Sequence, residues 1–322
     1  MPSEFELIKQ LANAQSIQRS EVVLGIGDDA AVLDIPEGHE LVVSTDTLNV
    51  GVHFPKDTSA HNIGYKSLAV NLSDLAAMGA EPLAVNLSLS LPDSDTQWIK
   101  YFSEGFFSLA AIHNMQLIGG DTTRGPLSIS VTIFGMVPKG QAICRSAAIA
   151  GDFIYVTGSL GDAGAALLGM MGELKLNGPQ QRQLNEKLNQ PQPRVAIGRA
   201  LRGIANSCID ISDGLSADLG HILQQSHLGA TLYVDQLPLS NTYQEIFDLA
   251  GGWQLPLNAG DDYELCFTVS ESNLQQLETV ISSFEVPITC IGAVESKAGL
   301  HLLMPDGLTQ TIEPKGYDHF KS

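Results

Sequence analysis

The stretch LAVNLSLSL, Leu83–Leu91, alternates without a break. Leu83, Val85, Leu87, Leu89 and Leu91 fall on one side of an extended chain, with Asn86, Ser88 and Ser90 on the other. A period of two is the mark of a strand buried on one face, and such half-buried strands are characteristic of antiparallel pairing. The run LSISVTIFGMV (127–137) behaves likewise. Small polar residues on the second face suit cover by water or by another subunit. Upstream, SAHNIGYKSLAVNLSDLAAMGAEP (59–82) puts Leu68, Leu72, Leu75 and Gly79 on one helical stripe and closes at Gly79 to Pro82. Downstream, DTQWIKYFSEGFFSLAAIHN (95–114) reads as a second helix.

Beyond MVPKGQAICRSAAIAGD (136–152) the character changes. FIYVTG (153–158) is a continuous apolar strand, followed by glycine-rich SLGDAG (159–164) and a helix AALLGMM (165–171). A domain boundary is expected near 138–150, which divides the chain into 1–140 and 150–322. The second half offers strands SCIDIS (207–212), ATLYV (230–234) and YELCFTV (263–269) around a helix GLSADLGHILQQS (214–226). A polar helical stretch (179–190) with PQPR (191–194) reads as a surface excursion.

A chain of 322 residues suits two domains. Its 36 acidic and 17 basic residues give a formal net charge of -19, which repels nucleic acid and anionic membranes. No apolar run approaches the ~20 residues of a membrane span, and MPSEFELIKQLANAQ lacks the apolar segment of a signal peptide. Cys144, Cys208, Cys266 and Cys290 form no CxxC pair and read as reduced, mostly buried thiols. These features point to a cytoplasmic protein.

One design recurs five times, a strand ending in small residues and aspartate: GIGDD (25–29), VVSTDT (42–47), LIGGDTTRG (117–125), IDISDG (209–214) and NAGDD (258–262). Asp74 in NLSDLAAMG is a sixth acid, about 120° from the centre of its helix's apolar stripe. Any one of these could be a turn or helix cap, and Asp213 before GLSADLG could be only an N-cap. As a set they repel one another unless a cation sits among them. Oxygen-only donors suit a hard divalent ion, and magnesium takes one or two carboxylates together with substrate phosphates. No GxxxxGK[ST] is present, nor a GxGxxG in dinucleotide-binding context. TGSLGDAG (157–164) is a weak phosphate cradle at a helix N-terminus, with a tight turn as the plainer reading. Arg124 and Arg145 are candidate phosphate clamps, and His53, Tyr317 and His319 complete the candidates.

Taken in order, GIGDDAAVL, STDTL, VHF, GYKSLAVNLSDLAAMGAEP, QLIGGDTTRGP, GDFIYVTGSLGDAG, IDISDGL, DDYELCFTV and KGYDHF resemble the bacterial thiamine-monophosphate kinase family over essentially the whole chain. That family belongs to the aminoimidazole-ribonucleotide-synthetase-like superfamily of ATP users. The resemblance implies a two-domain α/β (α+β) fold. An N-terminal mixed or antiparallel sheet with helices would bind ATP and metal and build a homodimer, and a C-terminal α/β domain would complete the active site. It implies transfer of the ATP γ-phosphoryl group to thiamine monophosphate with several Mg2+ ions. By motif, Asp29, Ser44, Thr45, Asp46, Asp74, Asp121, Asp210 and Asp213 would hold magnesium. Gly120, Asp121, Arg145 and Ser212 would contact ATP, while His53, Asp261 and Tyr317 would line the thiamine phosphate site. Asp46, Asp121 and Arg145 would carry catalysis. The family often shows GGED before YEL where this chain has AGDD, so Asp261 is one carbon shorter than the glutamate it replaces.

Three rivals stand beside this. Ligases and selenide-phosphorylating members of the superfamily want another acceptor pocket, and the latter usually an N-terminal Cys or selenocysteine, whereas the first cysteine here is Cys144. A non-catalytic ion or nucleotide sensor would bind ATP without turnover. An acidic structural dimer would use its aspartates only as caps.

Overall fold

The computed structural model describes residues 4–317 and Phe320, and the chain clusters into two units that meet at residues 140 and 141, with 76–79 grouped in the second. The first unit runs α1 (Glu4–Ala14), β1 (Val22–Leu24), β2 (Val32–Leu33), β3 (His39–Asn49), α2 (Ala60–Ala77), β4 (Glu81–Leu91), α3 (Thr96–Ile112), β5 (Gln116–Arg124) and β6 (Ser128–Pro138). Its sheet has the order β3-β6-β4-β5. β6 pairs antiparallel with both β3 and β4, as the alternating runs predict, whereas β4 and β5 are parallel and joined through α3.

The pleat sorts the side chains. Leu48, Leu87, Leu89, Ile129, Val131 and Ile133 are buried on one face, and Leu75 of α2 packs against Gly135 there. α2 is buried almost all round, and two of its polar side chains bond within the helix: Ser67 Oγ donates to Gly64 O (2.9 Å) and Asn71 Nδ2 to Ser67 O (3.0 Å). Gly79 ends it in the left-handed region at φ 66°, with Ala80 N donating back to Leu75 O, the closure expected of a helix C-terminal glycine. Asp95 caps α3, accepting from the Gln97 and Trp98 amides. On the opposite face the β1–β2 ribbon lays Val22 and Leu33 over Leu83, Ala84, Ile118 and Phe134. The remainder of that face stays open, with Leu41 45% and Val43 51% exposed.

α2 and α3 meet backbone to backbone. A Cβ on Gly64 would lie 2.1 Å from Phe102 O, and one on Gly105 2.0 Å from His61 O. The segment before β1 is latched by Arg19, whose guanidinium grips Glu21 (2.8 and 3.1 Å) and donates to Asn114 O (3.3 Å). Gln15 pairs through its amide with both the N–H and C=O of Leu117 on the edge of β5 (2.9 and 3.1 Å), which protects that edge.

The second unit continues with β7 (Phe153–Thr157), α4 (Asp162–Met171), α5 (Gly178–Asn189), α6 (Val195–Ala200), β8 (Ser207–Asp210), α7 (Leu215–Ser226) and β9 (Gly229–Tyr233). After α8 (Asn241–Glu245) and α9 (Gln254–Asn258) come β10 (Leu265–Val269), α10 (Leu274–Ile281), β11 (Ile288–Glu295), β12 (Gly299–Leu303) and β13 (Thr309–Ile312). Its seven strands are ordered β13-β12-β9-β11-β7-β10-β8, with β9 and β12 parallel. Leu215, Leu219 and Ile222 of α7 join the strand residues in one core. α5 is not the surface excursion expected from its polarity, because Leu184 and Leu188 seal a second core with Tyr243 and Ile246.

Two stability measurements check this packing. Gly64→Ala and Gly105→Ala should each lower the unfolding free energy by about 1–3 kcal/mol, read as a lower urea midpoint at unchanged slope, because two backbones must separate to admit a methyl group. The Glu21 carboxyl is held at about 2 by its hydrogen bonds to the Arg19 guanidinium. A depressed carboxyl adds stability that is full above the ordinary carboxyl range and is lost as pH falls towards 2. Thermal melts from neutral pH to pH 2 should therefore separate wild type from Glu21→Gln at the neutral end and bring them together at the acid end.

Candidate active site

The first unit divides its acids between two places. Along β3, Ser44 and Asp46 point to the helix-covered face, where Ser44 Oγ donates to Asp74 Oδ2 of α2 and the Asp46 amide donates to Asn71 Oδ1 at 3.2 Å. Thr45 alternates to the opposite face, and its hydroxyl pairs with Thr132 Oγ1 at 2.9 Å. Its side chain therefore does not join Ser44 and Asp46. At the other side of the sheet, Asp28, Asp29, Gly120 and Asp121 line a cavity of about 390 Å³. Asp28 Oδ1 accepts from the Asp29 amide at 2.9 Å, so the first aspartate of the pair is committed to the turn. Asp46 and Asp121 stand on the two outer strands and on opposite faces, since Asp46 is opposite Val131 and Asp121 opposite Ser88. Three strand spacings, about 14 Å, lie between them.

Among the recurrent motifs, VVSTDT, LIGGDTTRG and NAGDD do not end a strand at their aspartate. β3 continues past Asp46 and β5 past Asp121, because ladder pairing persists to Asn49↔Ser128 and Leu91↔Arg124. NAGDD likewise follows a short helix, α9, and precedes β10. Gly120 is glycine for the sheet as well as for any ligand: its φ is 148°, and a Cβ would fall 1.8 Å from Leu87 O. His53 is half-buried, its Nδ1 accepting from Asn49 N at 3.0 Å and its carbonyl holding Lys66 Nζ at 3.2 Å. Arg124 is exposed at the end of β5.

In the second unit a buried carboxylate organises the candidates. Asp218 Oδ2 accepts from the successive amides of Ser212, Asp213 and Gly214 at 3.0, 3.0 and 3.1 Å. Asp213 is thus not the side-chain cap of α7. Burial outweighs the three amides and pushes the Asp218 carboxyl up to about 7. The carbonyls of this segment face outward and collect two other loops. Tyr263 N donates to Ile211 O (2.8 Å), Asp261 N to Ser212 O (2.9 Å) and Tyr317 N to Asp213 O (3.1 Å). Ser216 Oγ adds bonds to Asn258 Oδ1 (2.8 Å) and Lys315 O (2.7 Å). Ser212, Asp213, Asp261 and Tyr317 are brought together in this way. Asp210, buried, ends β8 beside them, and Arg145 is exposed, its carbonyl accepting from Ser226 Oγ at the far end of α7. His319 lies outside the described residues.

Asp261 and Tyr263 adopt left-handed backbone, φ 70° and 49°, which non-glycine residues rarely do. Aspartate tolerates that region better than most side chains, which gives the shorter acid in AGDD a local reason. Between these two residues Asp262 turns inward, and its carboxylate accepts from Gly161 N at 2.9 and 3.1 Å. Burial raises its carboxyl well above the usual range. The TGSLGDAG loop is therefore filled by the chain's own acids and is not an open phosphate cradle. A Cβ on Gly158 would lie 1.9 Å from Glu264 Oε1.

Two functional-looking residues escaped the motif reading. Arg194 of PQPR is buried and grips Glu264 with both Nε (2.6 Å) and Nη2, while Thr157 Oγ1 donates to the same carboxylate at 2.6 Å. Asp218 is the other, written as one more polar position on an amphipathic helix. Among the described residues no three His, Cys, Asp or Glu side chains converge as a ready-made metal cage. The donors present are carboxylates and hydroxyls, many of them exposed, which fits a hard ion that keeps waters and takes its remaining ligands from phosphates.

The comparisons with known proteins agree along the whole chain. Residues 27–137 match the model of the AIR synthase related protein N-terminal domain and 150–304 that of the C-terminal domain. The chain is 46% identical to the thiamine-monophosphate kinase of Escherichia coli K12 over 98% of both proteins. It is 36% identical to that of Bacillus subtilis 168 over 99% of both. The crystal structure of thiamine-monophosphate kinase from Stenotrophomonas maltophilia K279a superposes with a TM-score of 0.86 at 46% identity, covering 95% of this chain and 97% of that one. A structure described as AaThiL complexed with AMPPCP and TMP superposes at 0.79 with 30% identity, over 98% and 96%.

Breaking the buried ion pair checks the Arg194 finding. Glu264→Gln leaves a buried guanidinium without its counter-charge and should cost about 3–5 kcal/mol in urea unfolding. Arg194→Met combined with Glu264→Leu should recover most of that loss, since apolar replacement of a whole pair is close to neutral.

Proposed function

Because this chain belongs to the AIR synthase related protein family, and within it to the thiamine-monophosphate kinases, we propose that it transfers the γ-phosphoryl group of ATP to thiamine monophosphate, giving thiamine diphosphate and ADP. The observation that carries this is the 46% identity to a thiamine-monophosphate kinase over 98% of both chains. An oxygen of the acceptor phosphate attacks the γ-phosphorus in line. The bond from that phosphorus to the β,γ-bridging oxygen breaks, and ADP leaves with the electron pair. A phosphate monoester has a second pKa near 6, so the attacking oxygen is already anionic at neutral pH and needs no protein base. That fits a set of residues with no nucleophile and base dyad.

The acids then have one task. Two polyanions must meet, and magnesium, when bound, supplies the charge neutralisation that lets them approach. Asp29 and Asp121 are proposed to hold one part of it beside Gly120 and the nucleotide phosphates. Ser44, Asp46 and Asp74 are proposed to hold another, with Thr45 contributing through its backbone, and Asp210 and Asp213 a third. Arg145 and Ser212 are assigned to ATP, and His53, Asp261 and Tyr317 to thiamine monophosphate. Tyr317 is 54% exposed, and an aromatic ring at the surface is suited to stacking on a cationic heterocycle. Residues 1–140 are proposed to form the nucleotide, metal and dimerisation domain and 150–322 the domain that completes the site.

A homodimer is proposed on the open face of the first sheet, where exposed Leu41 and Val43 flank a field of Ser and Thr. As a user of ATP the protein is assigned to the cytoplasm.

The assay is direct: ATP, magnesium and thiamine monophosphate are incubated with the protein, and thiamine diphosphate is resolved by chromatography. Asp46→Ala and Asp121→Ala should each lower kcat by about 10²-fold or more at saturating magnesium, with the melting temperature kept. His53→Ala should chiefly raise KM for thiamine monophosphate. Full activity in either aspartate variant overturns that residue's assignment, and absence of product with wild type overturns the function.

A further inference from the structure

Two stretches without regular secondary structure carry residues assigned to thiamine monophosphate: 259–264 contains Asp261 and 313–317 contains Tyr317. No strand ladder fixes either, yet both lie tight against the start of α7. A Cβ on Gly260 would stand 2.4 Å from Ser212 O, and one on Gly316 2.5 Å from Ala217 Cβ and 2.7 Å from Asp213 O. From the helix side, a Cβ on Gly214 would meet Asn258 O at 2.7 Å. Backbone packed this closely leaves little room for either stretch to shift.

One hydroxyl joins the two stretches. Ser216 is fully buried in the first turn of α7. Its Oγ lies 2.8 Å from Asn258 Oδ1 and 2.7 Å from Lys315 O, and it accepts from Lys315 N at 3.1 Å. Asn258 Nδ2 donates to Gln254 O at 3.2 Å, which fixes the amide with its oxygen towards Ser216. A serine hydroxyl has a single proton, so Asn258 Oδ1 and Lys315 O share one donor. Asn258 stands three residues before Asp261 and Lys315 two before Tyr317. The left-handed backbone of Asp261, φ 70°, persists only where the surroundings over-determine it. The amides of Ser212 and Asp213, residues assigned to ATP and magnesium, are held instead by Asp218. Resting on the proposed function, we propose that Ser216 is a positioning residue for the acceptor: its hydroxyl ties the Asp261 and Tyr317 segments into one unit that receives thiamine monophosphate, and it takes no part in holding ATP. Being buried, it acts through those segments and not by touching the substrate.

The test compares full-length wild type with Ser216→Ala, a smaller side chain that introduces no clash. KM for thiamine monophosphate should rise about fivefold or more, the worth of one shared hydrogen bond, while KM for ATP stays within twofold. Hydrogen exchange should quicken together at the amides of Asp261 and Tyr317, with the helix amides of α7 unaltered. A merely structural serine would lower the melting temperature and shift both KM values alike, which overturns the proposal, as does faster exchange at only one of the two amides. Calorimetric titration with thiamine monophosphate alone separates this from the function. If wild type binds thiamine monophosphate but forms no thiamine diphosphate, the transfer fails, and the titration still decides on Ser216: weaker binding by Ser216→Ala supports the assignment and equal binding overturns it. A wild type that does not bind thiamine monophosphate overturns both.

Discussion

A single buried carboxylate sets the geometry on which the second unit's candidate residues depend. Asp218 draws three consecutive amides inward, and the peptide groups of Ile211, Ser212 and Asp213 must then present their carbonyls outward. Those carbonyls are what Tyr263, Asp261 and Tyr317 bind. Chain segments about fifty and a hundred residues downstream are thereby held against one turn through their main-chain amides. Ser216 repeats the device one turn into the helix, with a hydroxyl that touches both segments.

The elements were legible where one face is buried and the period is clean. β4, β6, α2 and α3 lie where alternation or helical spacing puts them, and Gly79 closes α2 as a C-terminal glycine does. The parallel pairing of β4 with β5 was not legible, because β5 is rich in glycine, threonine and aspartate and carries no alternation to read. α5 misled for the opposite reason. Its surface is polar except at Leu184 and Leu188, and two leucines suffice to close a small core.

Of the site, the individual acids stood out because aspartate beside glycine is conspicuous. What each does was less visible. The two faces of β3 separate Thr45 from its neighbours, a consequence of strand alternation once STDT is known to lie inside a strand. Asp262 looks like the twin of Asp261 in the sequence, yet one turns inward to Gly161 while the other sits at a left-handed position on the loop. Arg194 and Asp218 left no local signal at all. The partner of Arg194 is Glu264, far along the chain, and Asp218 acts on backbone amides that no motif spells out.

The crossing of α2 and α3 at Gly64 and Gly105 bears on how this protein can drift in sequence. Most core contacts are negotiable, since a larger side chain on one element can be matched by a smaller one opposite. Here each glycine faces a main-chain carbonyl, and no substitution elsewhere can make a carbonyl smaller. The two positions therefore cannot compensate for one another, and the spacing of the helices behind the Ser44–Asp74 cluster is inherited as a fixed length while the apolar residues around it remain exchangeable.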